Sequence, residues 1–168
     1  MPVVISKSKS PQLSLMRWGL IPSWAKDSKF GLSMFNARAD TVTVKPSFKL
    51  SFRRRRCLIP ATGFYEWKKN GHLKIPLYYT LKDQPLFSFA GLWDRWLDPH
   101  GSTLDTYTII TTDPNSFIKP VHDRMPVILK PDGEKIWLNN TSSETSLLSL
   151  LQPYPDNLMV SDSSNLPH

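Results

Sequence analysis

Apolar residues recur along this chain in short runs broken by Pro, Gly, Asn and Asp, a pattern that predicts many short strands and few helices. Pro2-Val-Val-Ile5 reads as a strand, Ser6 to Pro11 as a turn, and Leu13 to Ile21 as a second extended run. Pro22-Ser23-Trp24 breaks that run and leaves Trp24 in a loop. Ala37 to Val44, rich in Thr and Val, predicts a strand, and Pro46 to Phe52 a short helical or irregular link. Cys57 to Trp67 is the strongest apolar segment, and Pro60 and Gly63 within it predict a bend or bulge. Asn70-Gly71 predicts a type I′ hairpin turn, with Ile75 to Leu81 as the returning strand. Leu86 to Trp93, Tyr107 to Thr112 and Met125 to Leu129 continue the strand pattern.

Helices are predicted mainly late in the chain. Asp113-Pro114 has the form of an N-cap with proline at the first helical position, so a short helix is expected ahead of His122. Pro131 to Glu134 opens another, running through Trp137 and Leu138. Thr141-Ser-Ser-Glu144 is a capping box before a stripe of Leu147, Leu148, Leu150 and Leu151, which reads as a face packed on a sheet. Pro153 and Pro155 end it, and Asn157 to Val160 is one more strand before a polar tail. No repeat, low-complexity tract or linker interrupts the 168 residues, so one domain is expected. The fold class is α+β: a curled, mostly antiparallel, barrel-like sheet with a few helices.

Composition narrows the function. An apolar fraction of 40% with six Trp predicts a folded globule. No run is long enough to cross a bilayer and the start has no signal pattern, so a cytoplasmic protein away from membranes is expected. The single Cys57 excludes an internal disulfide and a zinc site built on cysteine pairs; inside its apolar run it reads as a buried small hydrophobe. Lys plus Arg exceed Asp plus Glu by 21 to 14, a net charge of +7, with pI near 9.6. That surplus either serves solubility or favours polyanions, nucleic acid above all. Arg53 to Arg56 is its densest cluster.

Three polar islands stand inside the strand-like stretches: Asn36-Ala-Arg38-Ala-Asp40, Phe64-Tyr-Glu66-Trp67 and His122-Asp-Arg124-Met-Pro126. Charged and imidazole groups beside apolar runs are costly unless paired, so the islands predict one pocket assembled by folding. Alternation puts Glu66 on the face opposite Tyr65 and Trp67, unless a bulge brings Glu66 and Trp67 to one rim. A carboxylate under aromatic cover is a general acid or base with a raised pKa; the alternative is an ion pair with one of the arginines. His122 is either a proton shuttle or a satisfied core histidine. Arg124 shares its face in an extended segment, and the two want an anion, for which Glu66 is the candidate. Asn36 and Arg38 share a strand face, an amide to hold a sugar oxygen and a guanidinium to fork onto phosphate, or simply an edge strand. Trp24 is a lid or a base-stacking platform. No phosphate loop, paired-His metal motif or serine elbow is present, and no metal or cofactor is expected.

These stretches together resemble the SOS-response-associated peptidase (SRAP) family, whose members handle abasic sites in single-stranded DNA. The resemblance rests on Arg17-Trp-Gly-Leu-Ile-Pro-Ser-Trp24, Asn36-Ala-Arg-Ala-Asp-Thr41, Arg56 to Trp67, Phe89-Ala-Gly-Leu-Trp-Asp94, Tyr107 to Thr112 and His122 to Leu129, in that order. It implies a DNA-repair role within the SOS response and a monomer associated with the nucleoid. Members begin Met-Cys; removal of the Met, the basis of the peptidase label, frees a cysteine that closes a thiazolidine with the abasic aldehyde. The resemblance implies Glu66 as the proton-transfer carboxylate, His122 as its partner in ring opening and reversal, and Asn36 as the group that positions the sugar. It implies Arg38, Arg124 and Thr111 as DNA contacts, with Trp24 and Trp67 stacking. This sequence begins Met1-Pro2-Val3, and its first five residues match a strand inside other members. The expectation is that the family's first segment, with its nucleophile, is missing, so that strand binding persists without cross-linking. The competing expectation is a non-enzymatic module that grips single-stranded DNA.

Overall fold

The computed structural model describes residues 1–7 and 10–163. The strands are β1 (Pro2–Lys7), β2 (Ser10–Leu15), β3 (Arg17–Trp18), β4 (Asn36–Arg38), β5 (Arg56–Ala61), β6 (Phe64–Asn70), β7 (Leu73–Leu81), β8 (Phe87–Leu97), β9 (Thr103–Thr112), β10 (Met125–Pro126), β11 (Ile128–Leu129) and β12 (Met159–Asp162). The α-helices are α1 (Pro46–Arg54), α2 (Pro131–Leu138) and α3 (Glu144–Ser149). The larger sheet runs β10-β9-β8-β5-β1-β2, with β3 and β4 added parallel to β9; the smaller runs β12-β7-β6. The architecture is therefore α+β with a curled, mainly antiparallel sheet.

The curl has a local cause. Pairing of β8 with β9 stops at Gly91–Ile109, and Met125–Leu129 enters the gap. Val127 N–H donates to Ile110 O at 2.8 Å while its carbonyl accepts from Ala90 N–H at 2.9 Å. Val127 is fully buried, so one short segment satisfies the backbone of two diverging strands. A Cβ at Gly91 would run into the Ile59 side chain and lie 2.9 Å from Thr108 O, which fixes glycine where strand and side chain approach.

Strand periodicity then divides the core. Leu58, Ala90, Leu92 and Ile110 point to the helical side, joining Phe48, Phe52 and Trp137. Cys57, Ile59, Phe89 and Tyr107 point into the curl, against Tyr79 and Met125. A sheet covered on both faces explains why β5 and the start of β8 read as unbroken apolar runs.

Several sequence expectations need correction. The bent strand over Cys57–Trp67 is two strands in different sheets, separated at Thr62-Gly63, where a Cβ would collide with the Tyr78 ring. The strand expected to Val44 ends at Arg38; Thr41, Val44 and Lys45 N–H groups bond back into hydrogen-bonded turns that carry Val42 into the core. Propensity there yields to burial of one side chain. The hairpin loop is Gly71-His72, with Asn70 paired to Leu73 and positive φ at Gly71 (60°), the type II′ pattern rather than type I′. The segment between Asp113 and His122 forms turns instead of the expected helix: Asn115 Oδ1 accepts from Ile118 N–H at 3.0 Å and organises turns to Val121. The turn expected over Ser6 to Pro11 is replaced by strand: Ser6 and Lys7 belong to β1 and pair with Pro11 and Ser10 of β2, while Ser8 and Lys9 lie outside the described residues, as does the polar tail beyond residue 163. Among the described residues no helix is long and apolar enough to cross a membrane.

The arginine cluster is likewise dispersed. Arg56 is buried and donates to Trp137 O (2.7 Å), Phe52 O (2.8 Å), Arg53 O (2.9 Å) and Asn139 O (2.8 Å), tying the ends of α1 and α2 to β5. Arg55 pairs with Asp94, and Arg53 approaches Glu144 at 3.9 Å. Helix-terminal carbonyls carry partial negative charge, so a buried fork suits them better than a point-like ammonium. Arg56→Lys is expected to lower unfolding free energy by about 3 kcal/mol through lost charged hydrogen bonds, measured by denaturant titration.

Candidate functional site

The first island lies on β4, whose Ala37 is buried while Asn36 and Arg38 face outward together. Parallel pairing sets Asn36 beside Ile109 and Arg38 beside Thr111. Arg38 forks onto Asp40, Nε to Oδ1 at 3.1 Å and Nη2 to Oδ2 at 2.7 Å. This exposed ion pair raises the guanidinium pKa and lowers that of the carboxyl.

The third island is delivered by the turns after β9. Asn115 Nδ2 donates to Tyr154 O at 2.6 Å, Ile118 is fully buried, and His122 N–H donates to Ile118 O at 3.0 Å. The Arg124 backbone N–H donates to His122 Nδ1 at 3.1 Å. The same Nδ1 lies 3.1 Å from Arg124 O, so it accepts from the Arg124 N–H or donates to the Arg124 carbonyl according to the tautomer. Asp123 Oδ1 lies 3.3 Å from the same Nδ1, a partner for the charged ring.

Arg124 does not turn to Glu66, as the sequence had suggested. Its Nη1 donates to Asp113 Oδ1 at 2.8 Å and its Nη2 to Thr111 O at 2.6 Å. The side chain is 14% exposed, and Nε is buried without a partner among the described residues. Thr111 O also accepts from Ala39 N–H at 2.9 Å. This carbonyl therefore joins the first and third islands across the end of β9, while the Thr111 residue itself is buried.

The second island lies on β6, where regular pairing opposes Phe64 to Tyr79, Tyr65 to Tyr78, Glu66 to Leu77 and Trp67 to Pro76. Glu66 therefore shares the inner face with Phe64 and Tyr79, and Tyr65 and Trp67 take the outer face; alternation holds without a bulge. Burial raises the Glu66 pKa, the nearby imidazole of His122 lowers it, and Asp123 raises it. Among the described residues no arginine forms an ion pair with Glu66, so the structural-ion-pair alternative is not realised. The carboxyl and imidazole of two distant islands are thus electrostatically coupled, with no ion pair or hydrogen bond between them among the described residues.

The aromatic positions divide. Trp24, 56% exposed, packs edge-on to Phe30 at 5.2 Å beside Ala25 and Trp96. That cluster is anchored by Ser23 N–H to Asp94 Oδ2 and Ile21 N–H to Thr106 Oγ1. Thr106 is five residues before Thr111, about 17 Å along an extended strand, so this cluster is anchored well down β9 from the Thr111 end that carries Arg38 and Arg124. Between them lies a pair not singled out from sequence: Trp18 and Phe35, edge-on at 5.4 Å, with Trp18 Nε1–H donating to Phe35 O at 2.8 Å. Both are exposed, and Phe35 directly precedes Asn36. Asp113 and Asp123 were also missed as members of the charge network; their only sequence signal was position beside Pro114 and His122.

A cavity of about 370 Å³ runs from Met1 and Trp18 past Tyr107 and Ile109 to Thr62 and Gly63, adjoining the strand that carries Asn36. A larger groove of about 1100 Å³, between the outer face of β1 and β5 and helix α2, contains no residue of the three islands.

Comparison with known proteins identifies the family. The family model of the SOS response associated peptidase (SRAP) matches residues 1–165. The chain is 53% identical over 154 residues to the abasic site processing protein YoaM of Bacillus subtilis, covering 90% of this chain and 67% of that protein. It is 50% identical over 153 residues to the abasic site processing protein YoqW of the same organism, covering 90% and 68%. A crystal structure of a protein from Bacteroides thetaiotaomicron superposes with a TM-score of 0.88 at 40% identity, covering 95% of this chain and 71% of that one. The chain belongs to the SOS response associated peptidase family.

Proposed function

We propose that this chain binds single-stranded DNA and acts on the deoxyribose of an abasic site, with Glu66 and His122 moving the protons. The observation that carries this reading is the half-buried carboxyl of Glu66 held in electrostatic reach of His122. An abasic sugar exists mainly as a closed hemiacetal, and opening it requires a proton on the ring oxygen and loss of one from the C1′ hydroxyl. A carboxyl whose neutral form desolvation favours does both when protonated: one oxygen gives its proton to the ring oxygen as the C1′–O bond breaks, while the other takes the hydroxyl proton. C1′ becomes the aldehyde carbon and Glu66 ends in its starting state. The imidazole of His122 and the amide of Asn36 supply polar contacts to the sugar oxygens. Arg38 meets phosphate by exchanging its exposed Asp40 partner. Arg124 acts mainly by holding the Asp113–Thr111 end of β9 in place. Trp67 and the Trp24 and Trp18–Phe35 rings offer stacking surfaces along the strand's path.

Cross-linking needs a nucleophile as well. Cys57 is fully buried, and burial pushes its thiol well above the usual range. The Met1 α-amine donates to Met16 O at 2.8 Å. The thiol is withdrawn into the core and the α-amine is engaged by a backbone carbonyl, so binding and opening of the sugar are expected without a covalent link. With abasic single-stranded DNA, denaturing electrophoresis is expected to give no heat-stable adduct, and such a band would overturn that expectation. Trapping of the aldehyde by an alkoxyamine is expected to accelerate with the protein present and to lose that acceleration in Glu66→Gln, with DNA binding retained. Equal trapping by both proteins would leave a binding module as the better reading.

The raised Glu66 pKa also fixes a sign for stability. Because the folded carboxyl titrates above its unfolded value, its ionised form opposes folding as pH rises through the folded value. Glu66→Gln is expected to be more stable than the parent above that pH, the advantage vanishing below the ordinary glutamate range. Asp123→Asn is expected to move the Glu66 titration downward by carboxyl NMR, since Asp123 raises it.

A further inference from the structure

The β6–β7 hairpin outruns the rest of its sheet. β12 pairs with β7 only from Tyr78 to Leu81, leaving residues 67–76 as a two-stranded ribbon. Directly opposed residues of an antiparallel pair point to the same side. The outer side therefore presents Tyr65 with Tyr78, then Trp67 with Pro76, then Lys69 with Lys74. The tyrosine rings lie 4.7 Å apart, and the Tyr65 and Trp67 rings 6.3 Å apart. Trp67 is 47% exposed, and residues 67–74 are exposed throughout.

Lys69 opposite Lys74 is an unfavourable pairing, because like charges across a strand pair repel. Neither ammonium has an ion-pair or hydrogen-bond partner among the described residues, unlike Lys82 and Lys135. The ribbon's sequence from Trp67 to Pro76 contains no Asp or Glu. Asp162 lies on the same side opposite Tyr78, about 13 Å along the strand from Lys74. An aromatic platform followed by two unneutralised cations on one face matches a base stacked on Trp67 with its phosphate between the lysines.

We propose that the outer face of this ribbon, Trp67 with the opposed Lys69–Lys74 pair, is a second contact surface for the backbone of a single nucleic-acid strand. It deepens the DNA reading above and rests on it, adding a surface outside the Glu66–His122 face. The edge of β6 is unpaired among the described residues. Lysines on such an edge also serve to block edge-to-edge pairing, and this is the competing explanation.

The test is fluorescence anisotropy of undamaged single-stranded DNA across a salt series with the full chain. Variants are Lys69→Ala/Lys74→Ala and, as a charge-matched control, Lys7→Ala/Lys49→Ala, at exposed positions elsewhere. The ribbon variant is expected to bind about five- to tenfold more weakly and to lower the salt slope by about 1.4, the value for two lost contacts to a single strand. Equal losses in the control would reduce the effect to bulk charge and overturn the proposal. So would unchanged affinity accompanied by self-association of the ribbon variant in sedimentation, the outcome of a blocking role. If the parent protein binds no single strand, the DNA reading fails and this surface with it. Aldehyde trapping, which reports on Glu66, separates failure of the chemistry from failure of the ribbon.

Discussion

The insertion of Met125–Leu129 between β8 and β9 is the constraint from which the site follows. Two strands that diverge leave unpaired backbone on both sides, and buried peptide groups without partners are costly. Val127 meets that demand in both directions, to Ile110 and to Ala90. Because this segment is locked in the core, the residues just before it have little freedom. His122 and Arg124 are held at the end of β9, where Thr111 O receives both Arg124 and Ala39. Glu66, on the smaller sheet, lies within electrostatic range of that imidazole.

The charges around that point are largely neutralised within the protein. Arg38 is answered by Asp40, Arg124 by Asp113, and His122 has Asp123 beside it. Glu66 is left as the half-buried carboxyl whose burial penalty no arginine offsets. That distribution sets the paired charges apart from the one half-buried carboxyl whose neutral form burial favours.

Much of the strand pattern was legible because period-two alternation follows directly from which face is buried. It succeeded for β7, β8 and β9, and it put Asn36 with Arg38 and Trp67 opposite Glu66. It failed where nonlocal contacts override local preference. Val42 pulls a Thr-rich stretch out of extended structure, Gly63 divides one apolar run between two sheets, and Asn115 rather than Asp113 organises the turns before His122. The pairing of Arg124 was misread for the same reason, since Asp113 is distant along the turns but adjacent across the end of β9.

What the sequence determined by itself is the inventory: an acid, an imidazole, an amide and several guanidiniums placed in strand contexts, with family motifs in order. Local chemistry and side-chain period suffice for that, because both are properties of neighbouring residues. Which charges neutralise one another, which arginine becomes a buried helix tie, and which aromatics reach the acid were decided by the tertiary structure alone. Those outcomes depend on distances between chain segments, and distance across a curled sheet is set by packing that no single stretch of residues encodes.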